Sequence, residues 1–485
     1  MEKEIFDKYE PIIGLEVHIQ LLTKSKAYCG DSTEYGALPN SQVSPISLGH
    51  PGTLPKVNEK VIEYAILLGT ACKCKITREN QYARKNYFYA DLPKGYQITQ
   101  HLTPICTGGF ITINTPNGKK QVELTRIHME EDTGKSIHDQ DPYDTLIDLN
   151  RAGVPLLEMV TEPVIANADE AYQFVTELRR LVRYLEICDG NMEEGSMRCD
   201  ANISVRLKGA KQFGKKVEVK NMNSIRNVHT AINHEIERQI GVLESGGTLY
   251  QETRNFDAAT GTTATMRSKE SSDDYRYFPE PDLAPVIVTE KDVERVRLTL
   301  PPLPDELLEK YTTLFNLSNY DASVIIDNKE FALYFEKLTS STNNYKAAAN
   351  WMMGDVKSYL NENAVTIDKF PLPANKIAEI ISLIESGKVS YTMASQRIFP
   401  EMVKNPARTA AQIAEENNLM QESDSSVLEQ FIAEAIAKYP EKVIEYKNGK
   451  SSLLGLFMGE VMKLSKGKAD PKMANQLVKT ALDKQ

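Results

Sequence analysis

From Ile13 to Leu21 every odd position is apolar (Ile13, Leu15, Val17, Ile19, Leu21), and the even ones are Gly14, Glu16, His18 and Gln20. Side chains on a strand alternate faces with period two. This stretch therefore buries one face and leaves Glu16, His18 and Gln20 together on the other. The pattern returns at Met197, Cys199, Ala201, Ile203, Val205 and Leu207, opposite Ser196, Arg198, Asp200, Asn202, Ser204 and Arg206. Val217 and Val219 alternate in the same way with Glu218 and Lys220. Strands half-buried in this manner predict an antiparallel sheet with one face on a core.

Elsewhere the period is helical. Ala171, Phe174, Val175, Leu178, Leu181, Val182 and Leu185 recur at i, i+3, i+4 spacing after Asn167 or Asp169. Ile225, Val228, Ile232, Ile236, Ile240 and Leu243 form a second stripe between Ser224 and the closing Gly246-Gly247. Strands and helices mix up to about residue 290. The segment Leu300-Pro301-Pro302-Leu303-Pro304-Asp305 reads as a linker or helix entry, and beyond it the pattern is almost wholly helical, with a second break near Lys404-Asn405-Pro406-Ala407.

At 485 residues, 41% hydrophobic and 26% charged, the chain has the length of about three globular domains. Its longest nearly apolar run, Ala65 to Cys72, is far short of the roughly 20 residues that cross a bilayer. The opening MEKEIFDKYE is too charged for a signal peptide, and six cysteines form no disulfide framework, so a reduced, cytoplasmic protein is expected. The net charge of −10 argues against nucleic-acid binding over the whole surface, but from Glu441 onward nine lysines face five acids.

A solvated sheet face more typically shows Lys, Glu and Thr, whereas these faces mix carboxylates with His, Arg, Asn and Lys. Charged turns join them: Met192-Glu193-Glu194-Gly195-Ser196 and His128-Met129-Glu130-Glu131-Asp132-Thr133-Gly134-Lys135-Ser136. Consecutive acids repel unless a cation neutralises them, and Mg²⁺ takes carboxylates together with substrate phosphates. Residue pattern alone leaves a metal-assisted site and a plain solvated surface both open. Gly134-Lys135-Ser136 lacks the upstream glycine of a phosphate loop. No Gly-x-Ser-x-Gly or His-Glu-x-x-His occurs, Cys72-x-Cys74 has no second pair to complete a zinc site, and Cys29, Cys106, Cys188, Cys199 and Trp351 read as packing residues.

Seven motifs then converge. Gly14-Leu15-Glu16-Val17-His18, Arg84-Lys85-Asn86-Tyr87-Phe88-Tyr89, His128-Met129-Glu130-Glu131-Asp132 and Glu193 to Asn202 are joined by Lys220-Asn221-Met222-Asn223-Ser224, Gln251-Glu252-Thr253-Arg254 and Asp274 to Asp282. In this order, over essentially the full length, the chain resembles the GatB family, the substrate-activating subunits of the bacterial glutamyl/aspartyl-tRNA amidotransferases. The resemblance implies an α+β fold: an antiparallel-sheet cradle (1–294) carrying an ATP and Mg²⁺ site, a helical domain (295–406) and a small helical tail (407–485) on the tRNA. It also implies a carbon–nitrogen ligase working as a heterotrimer, in which an amidase subunit releases ammonia from glutamine and a small subunit holds the pair together. The GatB member would phosphorylate the side-chain carboxylate of misacylated Glu-tRNA(Gln) or Asp-tRNA(Asn), and the ammonia would displace the phosphate.

Carried onto this sequence, the resemblance implies metal binding at Glu16, His18, Glu131 and Glu252, with Glu130 and Asp132 beside them. Arg198, Lys220, Lys85, Ser196, Asn223 and Arg254 become candidates for nucleotide, phosphate or aminoacyl contacts. Lys463, Lys466, Lys468 and Lys472 suit a tRNA backbone. Many relatives carry a four-cysteine zinc cluster; here Cys29 remains with Ser32, Ser44 and Ser47 nearby, so no zinc is expected and other contacts must hold that loop. A non-catalytic tRNA scaffold and a small-molecule amide ligase are the competing readings.

Overall fold

A computed structural model of the protein describes residues 3–268, 275–420, 425–465, 469 and 471–484. It divides into two compact units, Met1–Asp305 and Glu306–Gln485. Asp274, Lys466 and Lys468, and the side chain of Lys472, lie outside what it describes.

In chain order the first unit contains β1 (Tyr9–Gln20), α1 (Glu59–Ala71), β2 (Lys75–Ile76), β3 (Ala83–Asn86), β4 (Tyr96–Thr99), β5 (Cys106–Thr107), β6 (Phe110–Thr115) and β7 (Gly118–Glu131). There follow β8 (Pro155–Thr161), α2 (Ala168–Tyr184), β9 (Met197–Leu207), β10 (Val217–Met222), α3 (Ile225–Glu244), β11 (Glu252–Asp257), β12 (Thr262–Ser268) and β13 (Arg276–Pro279). A ten-stranded sheet runs β12-β11-β10-β9-β1-β8-β7-β5-β2, with β6 also on β7, and β13-β3-β4 form a separate small sheet.

Period two decides which face is which. Ile13, Leu15, Val17 and Ile19 of β1 are buried with Met197, Cys199, Ala201 and Ile203 of β9 in one hydrophobic cluster. Onto that cluster α2 packs Ala171, Phe174, Val175 and Leu178, and α3 packs Val228, Ala231, Ile232 and Ile240. Both helices begin where expected. Asn167, not Asp169, accepts from the Glu170 amide, and Ser224 accepts from the Asn227 amide, caps worth about 1 kcal/mol each. Gly246, at φ +76, ends α3 by turning the chain in the left-handed region.

The sheet departs from wholly antiparallel at one place among the described strands: β10 and β11 are parallel. The reason lies between them, since the 20-residue α3 carries the chain back to the end it left. The apolar run Ala65 to Cys72 belongs to α1, which buries Ala65, Ile66, Leu67 and Leu68. Gly134 is also structural. Its amide donates to Asp91 O at 2.8 Å, and a Cβ there would stand 2.9 Å from Asp148 O.

The first unit reaches past 294, because Val296 and Leu303 are buried in its core. A helix starts at Pro304, in the proline-rich segment, and runs on to Thr313 in the second unit, whose further described elements are helices. Helix Ala410–Glu416 stays with the helices before it, where the Ala410 amide donates to Glu379 at 3.4 Å. A separate core joins Leu428, Ile432, Phe457, Val461, Ala474, Val478 and Leu482, so the last helices have packing of their own. Lys463 is exposed there, whereas Lys442 and Lys450 are paired with Glu445 and Lys438 with Glu460. No helix among the described residues is long and apolar enough to cross a membrane.

Candidate active site

The polar face of the sheet is organised in rows across the strands. Register places Arg198 of β9 opposite His18 of β1, His18 opposite Glu158 of β8, and Glu158 opposite His128 of β7. One step along, Asp200, Glu16 and Val160 stand in line with Arg126; one step the other way, Gln20 and Leu156 align with Glu130. Neighbouring strands are about 4.8 Å apart, so ionisable groups in one row interact directly.

They do. His18 Nε2 stands 3.4 Å from Glu158, 3.6 Å from Glu130 and 3.9 Å from Glu16. His128 Nε2 lies 3.5 Å from Glu130 and 3.6 Å from Glu158. Two overlapping groups result, Glu16–His18–Glu158 and His128–Glu130–Glu158, each with its ligand atoms within 4.8 Å of one another. Glu158 is shared by both.

Burial and crowding set the proton occupancy. Desolvation, then the neighbouring Glu158 charge, push the Glu16 carboxyl up to about 7. Burial by itself depresses the His18 imidazole, but its hydrogen bond to Glu158 and the Glu158 and Glu130 charges outweigh this and raise it to about 9. Glu158 is buried, which opposes ionisation, yet His128 and His18 hold it well below the usual carboxylate range. The cluster thus neutralises its carboxylates with protons.

Cations surround it. Arg198 grips Asp132 with two bonds of 3.0 Å, assisted by Arg151 at 3.6 Å and Gln20 at 3.4 Å. Lys220 binds Asp200 and lies 3.1 Å from Glu218. The small sheet stands over the cluster and contributes Lys85, whose Nζ sits 4.7 Å from the Tyr275 ring. Glu16, His128, Glu130, Glu158, Lys85 and Lys220 all line one polar cleft of about 240 Å³.

Of the residues marked in the sequence, Glu16, His18, Glu130, Lys85 and Lys220 meet in or beside this cleft, and Arg198, opposite His18 in register, binds Asp132 next to it. Glu131 does not join them. Adjacent strand residues face opposite ways, so Glu130 enters the cluster while Glu131 bonds Lys94 and accepts from the Ile98 amide at 2.9 Å. Its pocket also contains the fully buried Lys26, which donates to Gln42 O at 2.8 Å. Glu252 and Arg254 lie on β11, bonded to each other at 3.0 Å and tied to Arg238 and the buried Glu235 of α3.

Ser196 and Asn223 sit at strand ends. Ser196 donates to Asp189 at 3.2 Å, and Asn223 is exposed just before the Ser224 cap. In the loop after β1, Asp31 accepts from Ser47 Oγ and from the Ser44 amide, contacts that hold the segment around Cys29. All six cysteines are free thiols.

Sequence reasoning missed Glu158, and left His128 and Arg126 out of the site. A signal existed for each. Glu158 is the lone acid in Pro155-Leu156-Leu157-Glu158-Met159-Val160, and His128 and Arg126 share a face with Glu130 by period two.

The donor set suits a hard divalent cation. It offers three carboxylates, two imidazoles and a buried His128 Nδ1 with no hydrogen-bond partner among the described residues, and it holds protons where a dication would do the same neutralising.

Comparison with known proteins gives two family matches: a GatB/GatE catalytic domain over residues 11–294 and a GatB domain over 333–482. Among curated relatives, a protein of Thermodesulfovibrio yellowstonii is 46% identical over 97% of this chain and 98% of its own length. One of Geotalea uraniireducens is 49% identical over 97% and 98%, and one of Chlorobium phaeobacteroides 47% over 98% and 99%. Each is named as the B subunit of an aspartyl/glutamyl-tRNA(Asn/Gln) amidotransferase.

Proposed function

The chain belongs to the GatB family, the B subunits of the aspartyl/glutamyl-tRNA(Asn/Gln) amidotransferases, and from that premise we propose that its cleft activates the misacylated tRNA by phosphorylation. It serves as a subunit of a tRNA-dependent amidotransferase, a glutamine-dependent ligase. The observation that carries the kinase reading is the row Arg198–His18–Glu158–His128, flanked by Glu16 and Glu130 and faced by Lys85 and Lys220.

A carboxylate is a poor acyl donor because its leaving group would be oxide. Attack of the glutamyl or aspartyl carboxylate oxygen on the γ-phosphorus of ATP forms an acyl phosphate and releases ADP. Ammonia then attacks the acyl carbon, phosphate departs with the acyl oxygen, and the nitrogen sheds a proton to give the amide. Phosphoryl transfer asks mainly for positioning and charge neutralisation. Glu16, His18, Glu130, Glu158 and His128 would hold Mg²⁺, which when bound draws charge from the phosphate oxygens. Lys85, Lys220 and Arg126 line the cleft where phosphate oxygens would lie. Arg198, braced by Asp132, keeps its charge beside His18.

In this reading the partners are the glutaminase, or amidase, polypeptide and a small third polypeptide of the heterotrimer; the tail meets the tRNA, and the setting is the cytoplasm. Release of labelled phosphate from ATP by the complete complex, stimulated by Glu-tRNA(Gln) or Asp-tRNA(Asn), tests it. Glu158→Gln is expected to abolish that release while tRNA still binds. Amide formation without ATP cleavage would leave the chain a scaffold.

A further inference from the structure

We propose that Tyr277 and His101, a stacked ring pair in the wall of the cleft, are a platform for an adenine base. The base would be that of ATP or of the tRNA 3′-terminal adenosine. The inference rests on the kinase reading, which brings both into the cleft. The two rings lie nearly parallel, 14° apart with centroids 4.2 Å apart. Tyr277 comes from β13 and His101 follows β4, so two parts of the chain are needed to build the pair. Among the described residues neither ring makes a hydrogen bond through its side chain, so polar satisfaction does not account for their position. His101 is exposed, so the pair is open to solvent on its His101 side.

The second observation is charge. Both rings line the cleft together with His128, Glu130 and Glu158. Lys85 is the register partner of Tyr277 on β3, and its Nζ lies 4.7 Å from the Tyr275 ring and 5.8 Å from that of Tyr87. Arg126 also lines the cleft, on the β7 face that carries His128. Neither Lys85 nor Arg126 has a salt-bridge partner among the described residues, although the cleft is rich in acids. Two cations with no direct ion-pair partner among the described residues share the cleft with the ring stack and the carboxylate–histidine cluster, and together these match the parts of a nucleotide: a flat base, its phosphates and the metal they share. Stacking suits adenine because it uses the π-face and needs no edge-specific donor.

Steady-state rates of the complete complex test this, with ATP varied at saturating misacylated tRNA and tRNA varied at saturating ATP. The variants are His101→Ala, Tyr277→Ala and Tyr277→Phe. The alanine variants are expected to raise one KM by about five- to a hundred-fold, with the loss mainly in KM, and Tyr277→Phe to recover most of it. A rise in the KM for ATP alone assigns the base of ATP; a rise for tRNA alone assigns the terminal adenosine. Either supports the platform. If neither KM moves beyond about twofold, or if both rise alike in the alanine and phenylalanine variants, the platform is overturned. His101→Gln, at an exposed position, keeps the test available if Tyr277→Ala does not fold. A wild-type complex that cleaves no ATP in the presence of misacylated tRNA would overturn the kinase reading instead, so the two failures are distinct.

Discussion

Replacing Glu158 by glutamine removes one charge and almost no volume, and its effect on His18 can be worked out in advance. The Glu158 carboxylate lies 3.4 Å from His18 Nε2. At an effective dielectric of about 20 a full ion pair at that distance is worth about 5 kcal/mol. Burial opposes this. The net rise of the imidazole from 6.5 to about 9 corresponds to roughly 3 kcal/mol. Glu130, at 3.6 Å, stays in the variant and the glutamine oxygen still accepts a hydrogen bond, so the remaining stabilisation is partial. The His18 midpoint is therefore expected to fall by about 2 units, to near neutrality. Nitrogen-15 NMR of the seven imidazoles in metal-free buffer reads it directly, with His18→Gln assigning the resonance. A His18 midpoint still near 9 in Glu158→Gln would refute the row as the origin of the shift.

The same protons compete with metal: His18, at about 9, and Glu16, at about 7, must both lose a proton to become ligands. Mg²⁺ affinity is accordingly expected to rise with pH from 7 to 9, by up to about tenfold per unit for each proton released, as seen by calorimetry in buffers of different ionisation heat. Without metal the sign of the stability effect is opposite. Both groups have raised pKa values in the folded state, so their stabilisation is full below the unfolded values and is lost as pH climbs through about 7 and then about 9. Denaturant unfolding in chelator should show wild type losing more stability between pH 5 and 9.5 than Glu16→Gln/His18→Asn does. Glu131→Gln should weaken the fold by about 1–3 kcal/mol, since it strands Lys94, yet change Mg²⁺ affinity less than about twofold, whereas Glu158→Gln lowers it about tenfold or more. An equal metal defect in both would place Glu131 among the ligands. Phe174→Ala, which empties a fully buried site under the sheet, should cost about 3–5 kcal/mol in denaturant titration.

Much of the cradle was legible in one dimension because its two periods are strong. Alternation from Ile13 to Leu21 and from Met197 to Leu207 identified both strands and their polar face, Ser224 placed the start of α3 to the residue, and Asn167 or Asp169 placed that of α2 to within two. Local chemistry decides such features, so local sequence reveals them. The separation of Glu130 from Glu131 was legible too, by the same period-two rule, although three acids in succession read more readily as one cluster.

What the sequence could not supply was adjacency. Glu158 becomes central because β8 inserts between β1 and β7, bringing residues 18, 128 and 158 into one row. Glu252 and Arg254 are set against Glu235 and Arg238 of α3 by the parallel pairing of β10 with β11, a placement their spacing in the chain does not contain. The stacked pair of His101 and Tyr277 depends on strands far apart in the chain meeting in a second sheet. Period two tells which face a side chain takes. Which strand lies beside which is settled by burying the whole apolar surface at once, a property of the packed domain that no short window of sequence contains.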